Sequence, residues 1–556
     1  MSDESAITLC PHPRHLRRLS GTFQGTEPVE NITFDDSIPH AQGYRITITP
    51  TQWTTVARTP AGAFNAGMTI AQLLEQFGLA IPCLEIEDWP DFPTRGIMLD
   101  ISRDKVPTMQ TLFHLIDLLA SWKINQLQLY TEHTFAYSAH RTVWENASPI
   151  TADEIRQLDA YCKERFIDLV PNQNSFGHME RWLKHPQYQH LAEAIDGAET
   201  PWGFRWKGPF SLCPTDPETL KFLSGLYTEL LPNFSSPFFN VGCDETFDIG
   251  QGRSKADCDR IGIHRVYLNF IREVHHLVQA NQKQMMFWGD VILHQPDLIA
   301  ELPKNVIALQ WGYEASHPFD KEGAAFANAN IPYYVCPGTS SWNSIAGRTD
   351  NAIANLKSGA ECGLRHGAIG YLITDWGDNG HLQYQPISYL GFMTGAACSW
   401  CLETNQDLDL PRALSLHAFK DPKEELGQIA YDLGNIYTLC GKPNANGSAL
   451  FRLMVLPPND PNPEKGMTPE AFSAAESALD RIKIPTYPDG ELKLIADEFE
   501  NAIRMLRQCI AIGREKLGFP ASKPIDTAAI IAEHQRLWLA RNRPGGLEDS
   551  VARIRS

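Results

Sequence analysis

Arg95-Gly-Ile-Met-Leu-Asp-Ile-Ser-Arg103 is the stretch at which the chain changes its pattern. Its short apolar run, bounded by polar residues, reads as a buried strand. From there to about residue 373, short apolar runs alternate with amphipathic helical patterns. The expected strands are 96–101, 124–130, 167–172, 237–242, 284–289, 305–311, 331–336 and 367–373. Helical spacing falls at 108–122, 151–165, 216–231, 262–280 and 350–364. Eight strands with helical connections over about 300 residues match the size of an α/β (β/α)8 TIM barrel. A doubly wound sheet is the rival, but no Gly-rich phosphate fingerprint follows the first strand.

On either side the pattern differs. Tyr44-Arg-Ile-Thr-Ile-Thr49 alternates like a strand, and Met68–Phe77 has helical spacing stopped by Gly78, which gives a mixed first unit. Glu87-Asp-Trp-Pro-Asp-Phe-Pro93 reads as a linker. Beyond about residue 405 the strands stop. Helical patterns follow at 422–440, 468–482, 490–517 and 526–541, joined by Pro/Gly/Asn loops such as Leu456–Pro463. The expected division is an N-terminal α+β accessory domain (1–92), the barrel (93–404) and a C-terminal helical domain (405–556).

Composition narrows the partners. With 48 Lys+Arg against 66 Asp+Glu the formal charge is −18, which repels phosphate backbones and disfavours nucleic acid. No apolar run reaches membrane-spanning length, and the N-terminus lacks the apolar core of a leader, so a cytoplasmic protein with no membrane partner is expected. The 12 cysteines are scattered and form no disulfide framework; Cys398-Ser-Trp-Cys401, the one close pair, has no second pair to complete a zinc ribbon. His133, His178 and His381 follow different strands without metal-ligand spacing, so neither metal nor cofactor is expected. The 13 tryptophans suit stacking on flat apolar faces, those of sugar rings among them.

In a barrel, chemistry gathers at the C-terminal ends of the strands. There the sequence places Asp100 and Arg103, Glu132 and His133, Gln173, Asn174 and His178, then Asp244-Glu245. Next come Trp288 and Asp290, Trp311 and Glu314, Trp342 and Asn343, and Asp375, Trp376, Asp378 and His381. Singly, such an Asp is often a helix cap and such a Trp is often core. Together, aromatic walls with acids and amides make a saccharide pocket. Neighbours on a strand point to opposite faces, so Asp244 and Glu245 serve one pocket only if the chain is already turning at Gly242.

Arg95–Arg103, Asn240-Val-Gly-Cys-Asp-Glu245 and Thr374-Asp-Trp-Gly-Asp378 resemble motifs of the glycoside hydrolase family 20 β-N-acetylhexosaminidases. Phe64–Leu74 and Ile81–Asp88 resemble that family's accessory domain, so the likeness covers roughly residues 40–400. The resemblance implies exo-hydrolysis of terminal β-linked GlcNAc or GalNAc from a glycan, by a substrate-assisted retaining mechanism that departs from the two-carboxylate scheme. It implies Glu245 as general acid and base, and Asp244 as the partner of the substrate's acetamido group. It also implies Arg103 on sugar hydroxyls, Trp288, Trp311 and Trp376 around the acetamido group, Asp378 on outer hydroxyls and His178 behind the acid. His133, Asn174 and Trp342 complete the expected substrate-binding set. The chain departs from the family pattern at Tyr130-Thr-Glu132-His133 and after strand seven, where a Tyr usually bonds the acetamido oxygen; Tyr313, Tyr333, Tyr334 or Asn343 is left for that role. The C-terminal helices are expected to shape outer subsites or a homodimer contact. Two other readings stand beside this one: a two-carboxylate glycosidase in which Glu132 or Asp378 joins Glu245, and a non-catalytic sugar-binding protein.

Overall fold

The computed structural model describes residues 7–24, 31–455, 462–520 and 524–554. The first six residues of the N-terminus and residues 456–461 of the loop expected at 456–463 lie outside them. The chain begins with an antiparallel sheet built from β1 (His15–Thr22), β2 (Asn31–Phe34), β3 (Tyr44–Ile48), β4 (Trp53–Ala57) and β5 (Pro82–Asp88), in which only β2 and β4 run parallel. Its order is β1-β5-β3-β4-β2. The helix Pro60–Phe77 covers it, beginning well before the expected residue 68. Pro60 opens that helix and the Thr59 hydroxyl caps it, so the missed turns lie where helix-start chemistry stands in for apolar periodicity.

The barrel strands are β6 (Thr94–Asp100), β7 (Gln126–Tyr130) and β8 (Asp168–Val170), followed by a small hairpin of β9 (Ala198–Glu199) and β10 (Arg205–Trp206). Then come β11 (Phe238–Asn240), β12 (Gln284–Trp288), β13 (Ile307–Trp311), β14 (Tyr333–Cys336) and β15 (Gly370–Asp375). The eight parallel strands run β11-β12-β13-β14-β15-β6-β7-β8. The ring closes where Asn172 bridges Asn240, with Asn240 N donating to Pro171 O at 2.9 Å. Inside this seam Gln128 Oε1 accepts from both Asn172 and Asn240 side chains, at 3.1 and 2.9 Å. Met98, Val170, Met286, Ile307, Leu309 and Leu372 fill the rest of the interior, so the barrel is a packed core with its chemistry confined to the rim.

Helices occupy the expected connections, each opened by a capping residue where the sequence supplies one: Thr108, Thr151 (in a full capping box with Glu154) and Asp216. The expected linker at 87–93 is instead pinned. Asp91 and Phe92 N–H groups donate to the carbonyls of Trp400 and Ser399, and the Trp400 indole donates to Asp88 at 2.8 Å. The prolines there end a strand without freeing the chain. The helix expected at 422–440 is also broken, into Leu426–Leu433 and the turn Ile436–Cys440, at Gly434 and Asn435. The last helices, Glu491–Lys516 and Thr527–Arg541, are tied to the barrel: Thr108 N donates to Arg541 O at 2.9 Å and Arg543 N to Val106 O at 2.8 Å. All twelve cysteines are unpaired and buried. Among the described residues no helix is long and apolar enough to cross a membrane, and no group of three potential ligands could hold a metal.

Candidate active site

The site is organised by the turn after β11. The strand ends at Asn240, two residues before the sequence pattern suggests, because Gly242, Cys243 and Glu245 adopt left-handed backbone conformations, with φ of 67°, 73° and 49°. A strand cannot continue through such angles, and for Cys243 and Glu245 they carry backbone strain. This is the turn that adjacent acids require, and both now line one pocket. Gly242 is obligatory: a Cβ there would lie 2.3 Å from Asn174 Oδ1. That same oxygen accepts the Cys243 N–H at 3.1 Å. Asn174 Nδ2 meanwhile donates to Tyr130 Oη at 3.0 Å and reaches Asp244 Oδ1 at 3.4 Å. Asn174 is fully buried and holds the turn from behind; it does not line the pocket.

His178 Nε2 stands 3.4 Å from both Asp244 Oδ2 and Glu245 Oε2. Burial works against charge on its imidazole, but Asp244 and Glu245 outweigh burial and hold its pKa well above the usual value. Reciprocally, burial would raise the Asp244 carboxyl, yet the charge and hydrogen bonding of His178 keep it below the ordinary carboxylate range. Asp244 is therefore an anion. Asp290, just past β12, accepts the Glu245 backbone N–H at 3.0 Å. Burial, reinforced by the Asp244 charge, pushes Asp290 up to about 8, so it is neutral at pH 7.

Arg103 forms the opposite wall. Its guanidinium lies 3.1 Å from Asp100, 3.4 Å from Glu132 and 3.6 Å from Asp378. It also rests over the rings of Tyr130 and Trp376, each at 5.3 Å. Asp100 orients it while accepting the Gly377 N–H at 2.9 Å, which couples the loops after β6 and β15. Trp311, Tyr313 and Trp376 supply the aromatic sides: Trp311 and Tyr313 stack at 5.1 Å, and the Trp376 indole donates to Tyr313 Oη at 2.7 Å. The cavity between these walls is about 90 Å³.

Six expected residues besides Tyr313 thus meet in one pocket with the acids' His178: Arg103, Asp244, Glu245, Trp311, Trp376 and Asp378. Three others stand apart with Asn174. His133 is turned away: its Nε2 lies 2.6 Å from the buried Asp104, which also pairs with the partly exposed Arg181 at 3.1 Å. Trp288 is buried inside the barrel, 5.9 Å from the Trp376 ring, and supports the floor. Trp342 is buried edge-on behind Tyr313 at 5.0 Å. Of the four side chains left for the acetamido oxygen, Tyr313 alone lines the pocket. Tyr333 packs outward against Phe326, and Tyr334 lies in the barrel interior. Asn343 is buried outside the pocket lining, its amide 3.4 Å from Asp378.

Asn446 was not signalled by the sequence. It enters from the loop that precedes the helix Ala449–Met454, far beyond the barrel, and lines the pocket. Its backbone N–H donates to Glu314 at 2.7 Å and its Oδ1 accepts the Trp342 indole N–H at 2.7 Å. Glu314 is itself gripped by both Arg348 nitrogens at 3.0 Å. No motif marks such a residue; only the Asn/Gly-rich loop around it signals irregular backbone.

The model of the glycosyl hydrolase family 20 catalytic domain matches residues 92–362, and that of the same family's domain 2 matches residues 15–89. The chain is 23% identical to a lacto-N-biosidase of Bifidobacterium bifidum over 371 residues, covering 62% of this chain and 31% of that protein. It is 26% identical to a β-hexosaminidase of Akkermansia muciniphila over 246 residues, covering 40% and 49%. The chain thus spans about a third to a half of the length of these curated relatives. In fold it resembles the Flavobacterium johnsoniae chitobiase (TM-score 0.61, 16% identity, 96% of this chain and 97% of that one). It also resembles a β-N-acetylhexosaminidase structure (TM-score 0.60, 18% identity, 74% and 96%).

Proposed function

Because the chain belongs to glycosyl hydrolase family 20, we propose that it is an exo-acting β-N-acetylhexosaminidase that removes β-linked GlcNAc or GalNAc from glycans by substrate-assisted retention. The observation that carries this reading is an anionic Asp244 set beside an aromatic box of Trp311, Tyr313 and Trp376. An acetamido group fits that combination: its methyl enters the box, and its N–H meets the carboxylate. Asp244 turns the amide oxygen toward the anomeric carbon and offsets the positive charge that grows as the oxazolinium ring closes. Tyr313, whose hydroxyl oxygen accepts the Trp376 indole, keeps a proton to donate to that amide oxygen.

Glu245 protonates the departing oxygen and then takes a proton from the water that opens the oxazolinium ring. Its position is set by the strained turn and by Asp290, and His178 links it to Asp244. Arg103 and Asp378 grip hydroxyls on the far side of the ring in the fork geometry that guanidinium offers. The division of the chain into 1–92, 93–404 and 405–556 belongs to the same reading, with the last unit lending Asn446 to the pocket. A thiazoline that mimics the bicyclic intermediate tests the proposal. It should inhibit at least ~10²-fold more strongly than the parent sugar, as an intermediate-like ligand does; equal inhibition by the two would remove the mechanism.

A further inference from the structure

Arg103 and Asp378, whose side chains stand 3.6 Å apart, belong to different loops, so their spacing depends on what joins those loops. One tie is the hydrogen bond from Gly377 N–H to the Asp100 carboxylate. Lys105 makes another. Its side chain is buried, and its Nζ donates to the carbonyls of Gln383 at 2.7 Å and His381 at 3.1 Å. The two ties start on either side of Arg103 and land on either side of Asp378. Gln383 carries the second one back toward the pocket, since its Nε2 donates to Trp376 O at 2.7 Å.

The segment between the ties needs holding. Asn379, Gly380 and His381 run in succession through the left-handed region, at φ of 58°, 92° and 50°. For Asn379 and His381 that backbone costs energy and persists only where its surroundings fix it.

The C-terminal helices seat the lysine. Its Nζ lies 5.0 Å from the ring centre of Trp538, on the helix Thr527–Arg541, and 5.9 Å from that of Tyr384. Both rings are themselves fixed: the Trp538 indole donates to Arg543 O at 2.9 Å, and Asn501 donates to Tyr384 Oη at 2.8 Å. The same unit presses on both loops. A Cβ on Gly546 would lie 2.5 Å from Asp104 Cβ, and one on Gly380 would lie 2.7 Å from Arg553 Cγ. Burial pushes the Lys105 amine down to about 7, but the amine keeps two N–H groups for these carbonyls whether or not it is charged.

We propose that Lys105 is a positioning residue: seated by the C-terminal helices, it fixes the loop after β15 against the Arg103 segment and so sets the grip of Arg103 and Asp378 on sugar hydroxyls. This rests on the function proposed above for what that pair holds, and it gives the C-terminal helices a part in the reaction that the barrel alone cannot supply.

The test is steady-state kinetics on the p-nitrophenyl β-glycoside of GlcNAc or GalNAc. Lys105→Met, close in length but without an N–H, should raise KM about five- to tenfold, the effect of lost hydrogen bonds. Its kcat should stay within about twofold, because a grip held equally in the ground and transition states is uniform binding. Lys105→Gln, which keeps an N–H donor, should lie between. In an Asp378→Ala background the lysine has lost the grip that it sets, so Lys105→Met should add less than about twofold, whereas independent effects would multiply. An unchanged KM, the full additional rise in the Asp378→Ala background, or loss of the fold in both Lys105 variants overturns the positioning role and leaves the proposed function standing. Failure of the parent to cleave either acetamido glycoside overturns both.

Discussion

Asp244→Asn keeps the shape of the side chain and removes its charge, so it isolates what the carboxylate does in the pocket. The ground-state amide carries little charge, and the closing oxazolinium ring carries much more. A fall in kcat of ~10²–10³-fold with KM nearly unchanged is therefore expected from steady-state kinetics; a covalent sugar ester on Asp244, seen by mass spectrometry, would contradict the role. Glu245→Gln should cost ~10²–10⁴-fold with poor leaving groups and far less with an activated phenol. The pH profile belongs to Asp290. It is neutral below about 8 and gains a negative charge above it, next to the Glu245 backbone and near the Asp244 anion. Activity should therefore fall as pH rises through that range, and Asp290→Asn, which can still accept the Glu245 N–H, should hold its rate there. An alkaline limb identical in the two proteins would exclude Asp290 as its source. The acidic pair was readable at this scale because Gly242 announced the turn. The part played by Asn174 was not, since an amide after a strand looks the same whether it faces a sugar or a neighbouring backbone.

At the scale of elements, alternation of apolar runs made all eight barrel strands legible, with errors confined to their ends. Those errors have local causes, such as the left-handed residues that cut β11 short at Asn240. The anchoring of the C-terminal helices was not legible, because it depends on single side chains meeting across hundreds of residues. Arg541 gives two hydrogen bonds to the fully buried Glu498, at 2.6 and 2.9 Å, and a third to the half-exposed Glu491. Glu498→Ala leaves most of that buried guanidinium unpaired, and about 3 kcal/mol of stability should be lost, toward the low end for a broken buried pair because Glu491 remains. Urea denaturation measures it; a midpoint equal to the parent's would show that the pair does not hold the helices. The loop bearing Asn446 has a different task. Asn446→Ala should raise KM for the parent glycoside by about three- to tenfold, the effect of one neutral hydrogen bond, and should also lower the urea midpoint, by about 1–3 kcal/mol of stability, because it leaves the buried Trp342 N–H without its acceptor.

Across the whole molecule, the barrel strands bring residues from 103 to 378 to one rim, a C-terminal loop adds Asn446 to it, and the accessory sheet packs at the opposite end, where β6 and β7 begin. Trp400 shows how closely the units are joined: it ends a barrel helix, yet it packs in the core of the N-terminal sheet. The central claim is that the substrate's own acetamido group is the nucleophile. The most direct measurement is kcat/KM for p-nitrophenyl β-GlcNAc, β-GalNAc and β-glucoside under one set of conditions. The account predicts turnover of at least one acetamido sugar and a nearly inert glucoside, because the glucoside brings no group to close the ring. Efficient hydrolysis of the glucoside would contradict it and move the chain to the two-carboxylate class.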